Sequence, residues 1–132
     1  MRTLMAILAD RAEEIDGKST IAGVFQAVSA SRFPTALNGV LILRFSLDDP
    51  EDDAIAGVIL EMRFLGPDAQ QLGRFEVATD APPRTELMPL RGIDLTVDLT
   101  GTLLPVAGVY HFEVWALGVL RAVVPVAAWL SD

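Results

Sequence analysis

Apolar and polar residues alternate along this chain, and the alternation is most regular near its end. Between residues 93 and 100 every odd position is Ile, Leu or Val, and every even position is Asp or Thr. A period of two predicts a β-strand with one buried face and one solvated face. After a turn-rich connector at residues 100–108, a second strand places Tyr110, Phe112 and Val114 on one face. The pattern therefore predicts a pair of strands here.

The same reasoning predicts strands throughout the chain. They cover residues 2–10, 18–28, 40–48, 55–65, 72–79, 93–99, 109–115 and 119–127. The pairs Asp16-Gly17 and Leu117-Gly118 predict tight hairpin turns. Residues 29–37 and the proline-rich residues 80–89 are predicted to be irregular crossings. No long segment has apolar residues at helical spacing, so we expect little or no helix.

The alternation also predicts which side chains face the core. In strands 40–48 and 55–65 they are Leu41, Leu43, Phe45, Leu47, Val58, Leu60, Met62 and Phe64. Ile21 and Phe25 are expected to be inward anchors of their strand, and Phe75 and Val77 to face inward from theirs. Strand 2–10 is apolar on both faces, so we expect it to be covered on two sides.

Tyr110 opens its strand directly after the proline-containing connector. In β-sandwiches a tyrosine at such a corner fills the core while its hydroxyl bonds back to the connector. Residues 99–105 and 110–114 resemble the strand, corner and tyrosine strand of fibronectin type III and immunoglobulin-like domains. This resemblance implies an all-β, immunoglobulin-like antiparallel β-sandwich of about seven to eight strands, with Tyr110 as its structural landmark.

A second resemblance spans most of the chain. It rests on residues 4–10, the Gly17-Lys18 turn, residues 21–25, Phe33-Pro34 and the ending described above. Together these segments resemble an uncharacterised bacterial family of small proteins, catalogued as a domain of unknown function. The resemblance implies a single domain over residues 1–132, and the family supplies no catalytic residues to transfer to this chain.

Composition narrows the class of protein. With 132 residues the chain is long enough for one domain with its own core. It has no cysteine, which excludes disulfides and thiolate zinc sites and fits a reducing compartment. The apolar run at residues 4–9 is short and closed by Asp10, so it indicates a strand rather than a signal peptide. No apolar run approaches the roughly 20 residues that span a bilayer, and we expect a cytoplasmic protein.

Charge and hydropathy bear on the partners. A formal net charge of −8 with scattered Lys and Arg argues against nucleic acid, because phosphate neutralisation needs clustered basic residues. The chain is also 52% hydrophobic with a positive mean hydropathy, above the usual share for a soluble domain. We therefore expect another chain to cover some of the apolar surface.

Residues that could carry chemistry are few. The acidic loop at residues 48–53 has oxygen ligands of the kind calcium prefers, but it lacks the spacing and central glycine of an EF-hand. A solvated loop that discourages aggregation is the simpler interpretation. His111 is the only histidine and shares a strand face with Glu113, without a neighbouring nucleophile. We expect no catalytic, metal or cofactor-binding residues, and no enzyme.

The outward faces of the terminal strands give the leading hypothesis. In immunoglobulin-like sandwiches the first strand commonly lies near the last, so their outward residues can form one apolar surface. The predicted interface residues are Met5, Ile7, Trp115, Val119 and Val123. The leading hypothesis is a binding or assembly module that self-associates through these strands. The alternative is a small-ligand or calcium-binding domain that uses the acidic loop.

Overall fold

The computed structural model describes residues 1–131. Within them the chain forms β1 (Arg2–Ile15), β2 (Lys18–Phe25), β3 (Ala27–Ala30), β4 (Thr35–Leu37), β5 (Val40–Ser46), β6 (Gly57–Leu65), β7 (Gln71–Asp80), β8 (Gly92–Asp98), β9 (Thr102–Leu104), β10 (Gly108–Ala116) and β11 (Val119–Leu130). One turn of 3-10 helix covers Pro50–Asp52. No helix within residues 1–131 is long and apolar enough to cross a membrane. The predicted all-β class is confirmed.

Most of the strands belong to two sheets. The first sheet has the order β2-β1-β5-β8 and is antiparallel throughout. The second sheet has the order β3-β11-β10-β6-β7, and β3 runs parallel to β11 while the other pairs are antiparallel. β4 and β9 form a separate two-stranded ribbon. The first and last strands meet where Thr3 Oγ1 donates a hydrogen bond of 2.7 Å to the Arg121 carbonyl.

The two sheets share one hydrophobic core. On the first sheet, the inward positions of β5 and β8 pair as Leu41 with Val97, Leu43 with Leu95, and Phe45 with Ile93. On the second sheet, the Phe64 ring stacks on Tyr110 and Phe112, with centroid distances of 5.4 and 4.6 Å. All eight inward residues predicted for strands 40–48 and 55–65 are buried. The period-two pattern is therefore confirmed for these central strands.

Tyr110 occupies the corner between β9 and β10. Its side chain is fully buried, and its hydroxyl donates a hydrogen bond of 2.6 Å to the Val106 carbonyl. The same oxygen accepts a hydrogen bond of 3.1 Å from the Val106 amide. One buried hydroxyl thus satisfies both backbone groups of a connector residue, which fixes the connector against the core.

The structure has three more strands than the sequence pattern predicts. Two of them, β4 and β9, lie in segments predicted to be irregular, and they pair with each other. The third arises because the strand predicted at residues 18–28 is interrupted at Gln26, after which β3 leaves the first sheet and joins the second. Because β3 lies parallel to β11, the fully antiparallel arrangement expected from the sequence is wrong at this edge.

Two side chains predicted to face inward do not join the core, although Phe75 does lie on the inner face, where it pairs with buried Met62. Phe75 is 38% exposed, because β7 is the outermost strand of its sheet and less covered by the opposite sheet. Ile21 lines a cleft on the outer face of the first sheet instead of joining the core. Phe25 of the same strand does pack against the core. The predicted turns at Asp16-Gly17 and Leu117-Gly118 are confirmed by positive φ angles at all four residues.

Candidate binding surfaces

The outer face of the second sheet carries an exposed apolar surface on β10 and β11, two inner strands of the sheet and the last two strands of the chain. Strand register shows which side chains belong to it, because Val109, His111 and Glu113 of β10 pair with Ala127, Pro125 and Val123 of β11. We define the β10–β11 patch as Val109, Leu120, Val123, Pro125 and Trp129. The four large hydrophobic residues in it are between 39% and 50% exposed. A contiguous apolar surface of this kind on a central strand pair is typical of a contact site.

Aromatic and charged residues border the patch. The Arg63 guanidinium lies 4.7 Å from the centroid of the Trp115 ring, a cation–π geometry that covers the indole face. The Trp115 Nε1 group donates a hydrogen bond of 3.2 Å to Glu113, which itself lies opposite Arg63 across the strands. The border therefore combines an aromatic ring with balanced charges, as is common at the rim of protein interfaces.

The neighbouring strands β6 and β7 have a charged outer face instead. Glu61 accepts hydrogen bonds of 2.9 Å from Arg63 and 2.5 Å from Arg74, and Arg74 also binds Glu76 at 2.8 Å. The contacts with Arg63 and Arg74 lower the pKa of Glu61 to about 2, and the hydrogen bond from Arg63 has the largest effect. The outer face of the second sheet is thus mainly charged on β6 and β7, where Ile59 is also exposed, and mainly apolar on β10 and β11.

The outer face of the first sheet lies opposite a hairpin arm of its own chain. β1 continues beyond Ala9, the last residue paired with β5, and forms with β2 a hairpin arm of residues 11–22. The arm leaves the sheet at Gly23, whose φ is +72° and whose missing side chain makes room for the Asp10 carboxylate. Glycine is required there because a Cβ would collide with that carboxylate and strain the backbone.

Ile42 is a buried residue of this outer face. Ile42 points away from the core, since its neighbours Leu41 and Leu43 face inward, yet it is only 7% exposed. A cleft of about 640 Å³ separates the arm from this face. Its lining includes Met5, Ala12, Ile21, Ile42, Lys18, Arg44 and Asp94. The arm and the outer face of the first sheet therefore form the two walls of this cleft, with apolar residues on both.

The five predicted interface residues do not form one surface. Met5 and Ile7 pair with Arg44 and Ile42 on the outer face of the first sheet. Trp115 and Val123 lie on the outer face of the second sheet, and Val119 is exposed at the turn between β10 and β11. The expectation of a single surface is wrong because the first and last strands belong to opposite layers. Trp115, Val119 and Val123 do lie together, on the β10–β11 hairpin.

The acidic loop at residues 48–53 is largely bound to the rest of the chain. The buried Asp52 carboxylate accepts a hydrogen bond of 2.5 Å from the Met1 amino group, which lowers its pKa. Asp48 accepts hydrogen bonds from the Arg91 amide and the Ser46 hydroxyl, which likewise lower its pKa. Asp53 pairs with Arg84 at 2.9 Å. The interpretation as a solvated loop is therefore wrong for Asp48 and Asp52, while Asp49, Glu51 and Asp53 are exposed.

Arg91 is a structural residue that the sequence reasoning missed. Its side chain is buried, and its guanidinium donates hydrogen bonds to the carbonyls of Asp52, Ile55, Ala81 and Pro82 at 2.5 to 3.0 Å. These bonds fasten the crossing between β7 and β8 to the acidic loop. The sequence did not predict this role. A single arginine between Leu90 and Gly92, just before a strand, has the same pattern as an arginine that is simply solvated.

A groove of about 500 Å³ opens beside this junction. Its lining includes Leu4, Pro82, Pro83, Met88, Leu90 and Asp48. Met88 and Leu90 are 67% and 74% exposed, and Leu87 next to them is 92% exposed. The crossing thus presents a second apolar surface, with a carboxylate at its edge.

His111 and Glu113, the candidate acid–base pair, have different surroundings on the outer face of the second sheet. His111 is half-buried on the outer face of the second sheet, between Pro125 and Leu65 of the adjacent strands. Glu113 is instead oriented by the Trp115 indole. Among residues 1–131 there is no group of three or more His, Cys, Asp or Glu side chains arranged to hold a metal ion.

These features define an all-β protein whose two sheets share one core. The chain belongs to the family of unknown function DUF6941, whose model matches residues 4–127. This match confirms the resemblance to a family of unknown function. No curated protein and no solved structure matches the chain.

Proposed function

We propose that this protein is a non-enzymatic binding and assembly module of immunoglobulin-like architecture, which self-associates through β10 and β11. The observation that carries the proposal is the β10–β11 patch, because it exposes large apolar side chains on two inner strands of a sheet. The non-enzymatic assignment rests on the sequence, which has no nucleophile or phosphate-loop motif. The absence of cysteine supports a reducing compartment such as the cytoplasm.

Charge favours a second copy of the chain as the partner. With a net charge of −8, two copies repel each other wherever their acidic surfaces meet. The patch itself is uncharged, and Glu113 beside it is balanced by Arg63. Two copies that meet along β10 and β11 therefore bury apolar area while bringing few like charges together.

Sedimentation velocity of the wild type and of Val123→Lys tests the proposal. Val123 lies opposite Glu113 across the strands, so the new lysine gains a partner in the monomer. In the associated state the same lysine would be placed in an apolar contact, where burial of a charge is costly. We expect the wild type to associate with rising concentration, and the variant to associate at least about tenfold more weakly.

Val24→Lys is the matched control, because Val24 is 60% exposed on the outer face of the first sheet. It should sediment like the wild type. A wild type that stays monomeric up to about 100 μM would contradict the proposal, as would equal association of Val123→Lys and the wild type.

A second candidate function is favoured by the groove beside the acidic loop. Its apolar lining and the Asp48 carboxylate at its edge suit a small molecule with an apolar tail and a cationic head. Hexylamine is a suitable probe, because a ligand selective for the folded state raises the melting temperature. We expect a rise for the wild type and a smaller rise for Leu90→Asp. No rise would remove this candidate, and a rise with calcium chloride alone would favour the loop as a cation site instead.

A further inference from the structure

β7 is an outer strand of the second sheet, and one of its edges pairs with no other strand among residues 1–131. It is ten residues long and contains neither proline nor lysine, the residues that commonly protect such an edge. Leu72 and Phe75 on it are 39% and 38% exposed. A long edge strand with exposed apolar side chains is a template for pairing with another strand.

The hydrogen-bond pattern identifies which backbone groups of β7 point outward. The Ala81 amide donates to the Ala56 carbonyl of the neighbouring chain segment at 2.9 Å. Because the direction of backbone groups alternates along a strand, the amides and carbonyls of Arg74, Glu76 and Ala78 point toward the unpaired edge. Those of Phe75 and Val77 point toward β6. An added strand would therefore form its hydrogen bonds with the even-numbered residues.

We propose that β7 of a second copy of this chain pairs antiparallel with this edge, around a two-fold axis that passes beside Phe75. This register places Arg74 of each copy opposite Glu76 of the other, so two opposite-charge pairs form across the axis. It also brings the two exposed Phe75 rings face to face on the inner side. The strand is self-complementary in this arrangement, and it joins the two second sheets into one.

Charges select this register among its neighbours. A two-fold axis at Arg74 or at Glu76 would place each residue opposite its own copy, and an axis at Ala78 would place Glu76 opposite Asp80. Like charges directly opposite each other are destabilising. An axis at Val77 pairs Arg74 with Asp80, but it leaves Phe75 opposite Thr79. The axis at Phe75 places opposite charges across from each other and also places the two aromatic rings across from each other.

This contact is independent of the β10–β11 patch and goes beyond the proposed function. With two different two-fold contacts, each copy binds two others, so the wild type is expected to form species larger than a dimer. The edge contact is therefore tested in the Val123→Lys background, in which the patch no longer associates. If the edge contact is not found in this background, the proposal for the patch is unaffected. If the patch does not associate, the proposal for the edge is likewise unaffected.

Disulfide trapping tests the register directly, because the chain has no cysteine. Across the proposed axis the two Phe75 residues form a non-hydrogen-bonded pair, whose Cα atoms lie about 4.5 Å apart. That separation suits a disulfide. Under mild oxidation, Phe75→Cys should form a covalent dimer at least about tenfold faster than Thr79→Cys, which lies on the same face away from the axis. Equal rates for the two variants would overturn the proposal.

Glu76→Lys provides a second test. The substitution removes the exposed contact between Arg74 and Glu76, but Glu76 lies opposite Glu61 within the sheet, so the new lysine gains an opposite charge there and offsets the loss in the monomer. In the pair of copies the same lysine would face Arg74. Adding Glu76→Lys to Phe75→Cys should slow cross-linking at least about tenfold without lowering the melting temperature. Unchanged cross-linking, or faster cross-linking by Val77→Cys than by Phe75→Cys, would contradict the proposed register.

Discussion

The outer faces of the two sheets differ in what lies against them. On the first sheet, outward apolar residues such as Met5 and Ile42 line a cleft whose other wall is the β1–β2 arm. On the second sheet, strands β6 and β7 have a charged outer face, while the β10–β11 patch has no cover within residues 1–131. Both sheets thus have apolar residues on both sides, but just one of them has a hairpin of its own chain opposite its outer face.

This difference shows how the many apolar residues of the chain are distributed in the structure. Some fill the core, and some line the cleft between the arm and the first sheet. Exposed apolar residues lie on β10, β11 and the crossing between β7 and β8, and also at other positions such as Leu4, Ile59 and Leu103. An outward valine or isoleucine is therefore a structural residue on one sheet and a contact residue on the other.

Alanine substitutions at Ile42 and Val123 should separate these roles most strongly. Ile42→Ala removes methyl groups from a buried site and should lower the free energy of unfolding by about 2 kcal/mol. Val123→Ala acts at a site that is 46% exposed and should cost no more than about 0.5 kcal/mol. Urea denaturation at low protein concentration measures both. Equal losses for the two variants would contradict this difference between the two outer faces.

A smaller effect should come from the charged residues on β6 and β7. The pKa of Glu61 is lowered from an ordinary value of 4.5 to about 2 by its bonds to Arg63 and Arg74. A carboxylate with a lowered pKa stabilises the fold fully above its unfolded pKa, and this contribution is lost as the pH falls toward the folded pKa. Between about pH 4.5 and pH 2, the wild type should therefore lose stability more steeply than Glu61→Gln.

Thermal or urea unfolding at several pH values in that range checks this prediction, and Glu76→Gln is the control because Glu76 makes a single, exposed arginine contact. Parallel pH profiles for the wild type and Glu61→Gln would mean that these charged residues contribute nothing specific. The β10–β11 patch would then be distinguished by its apolar residues alone.

Local patterns were enough to predict the central strands. Period-two alternation located β5, β6, β8 and β10 with their inward residues, and the corner tyrosine marked Tyr110. Such patterns report which face of a strand is apolar, and they do not report which other element covers it. The burial of Ile42 and the exposure of Phe75 depend on segments far away in sequence, so alternation could not distinguish them.

The candidate surfaces were predicted in part. Trp115, Val119 and Val123 lie together at the second sheet, as expected, while Met5 and Ile7 lie on the other layer. The first and last strands belong to different sheets. Apolar patterning at the two ends of the chain cannot predict this, because it does not specify which sheet a strand joins. The role of Arg91 could not be predicted for a related reason, because its carbonyl partners lie in two loops, Asp52 and Ile55 between β5 and β6 and Ala81 and Pro82 between β7 and β8.

The most direct test of self-association through β10 and β11 uses the two tryptophans of the chain, Trp115 and Trp129, which both lie on these strands. Acrylamide quenching of their fluorescence is measured between about 1 and 100 μM protein, in the wild type and in Val123→Lys. The quenching constant should fall with concentration in the wild type and stay constant in the variant. A constant that is independent of concentration in the wild type, or falls equally in both, would contradict the account.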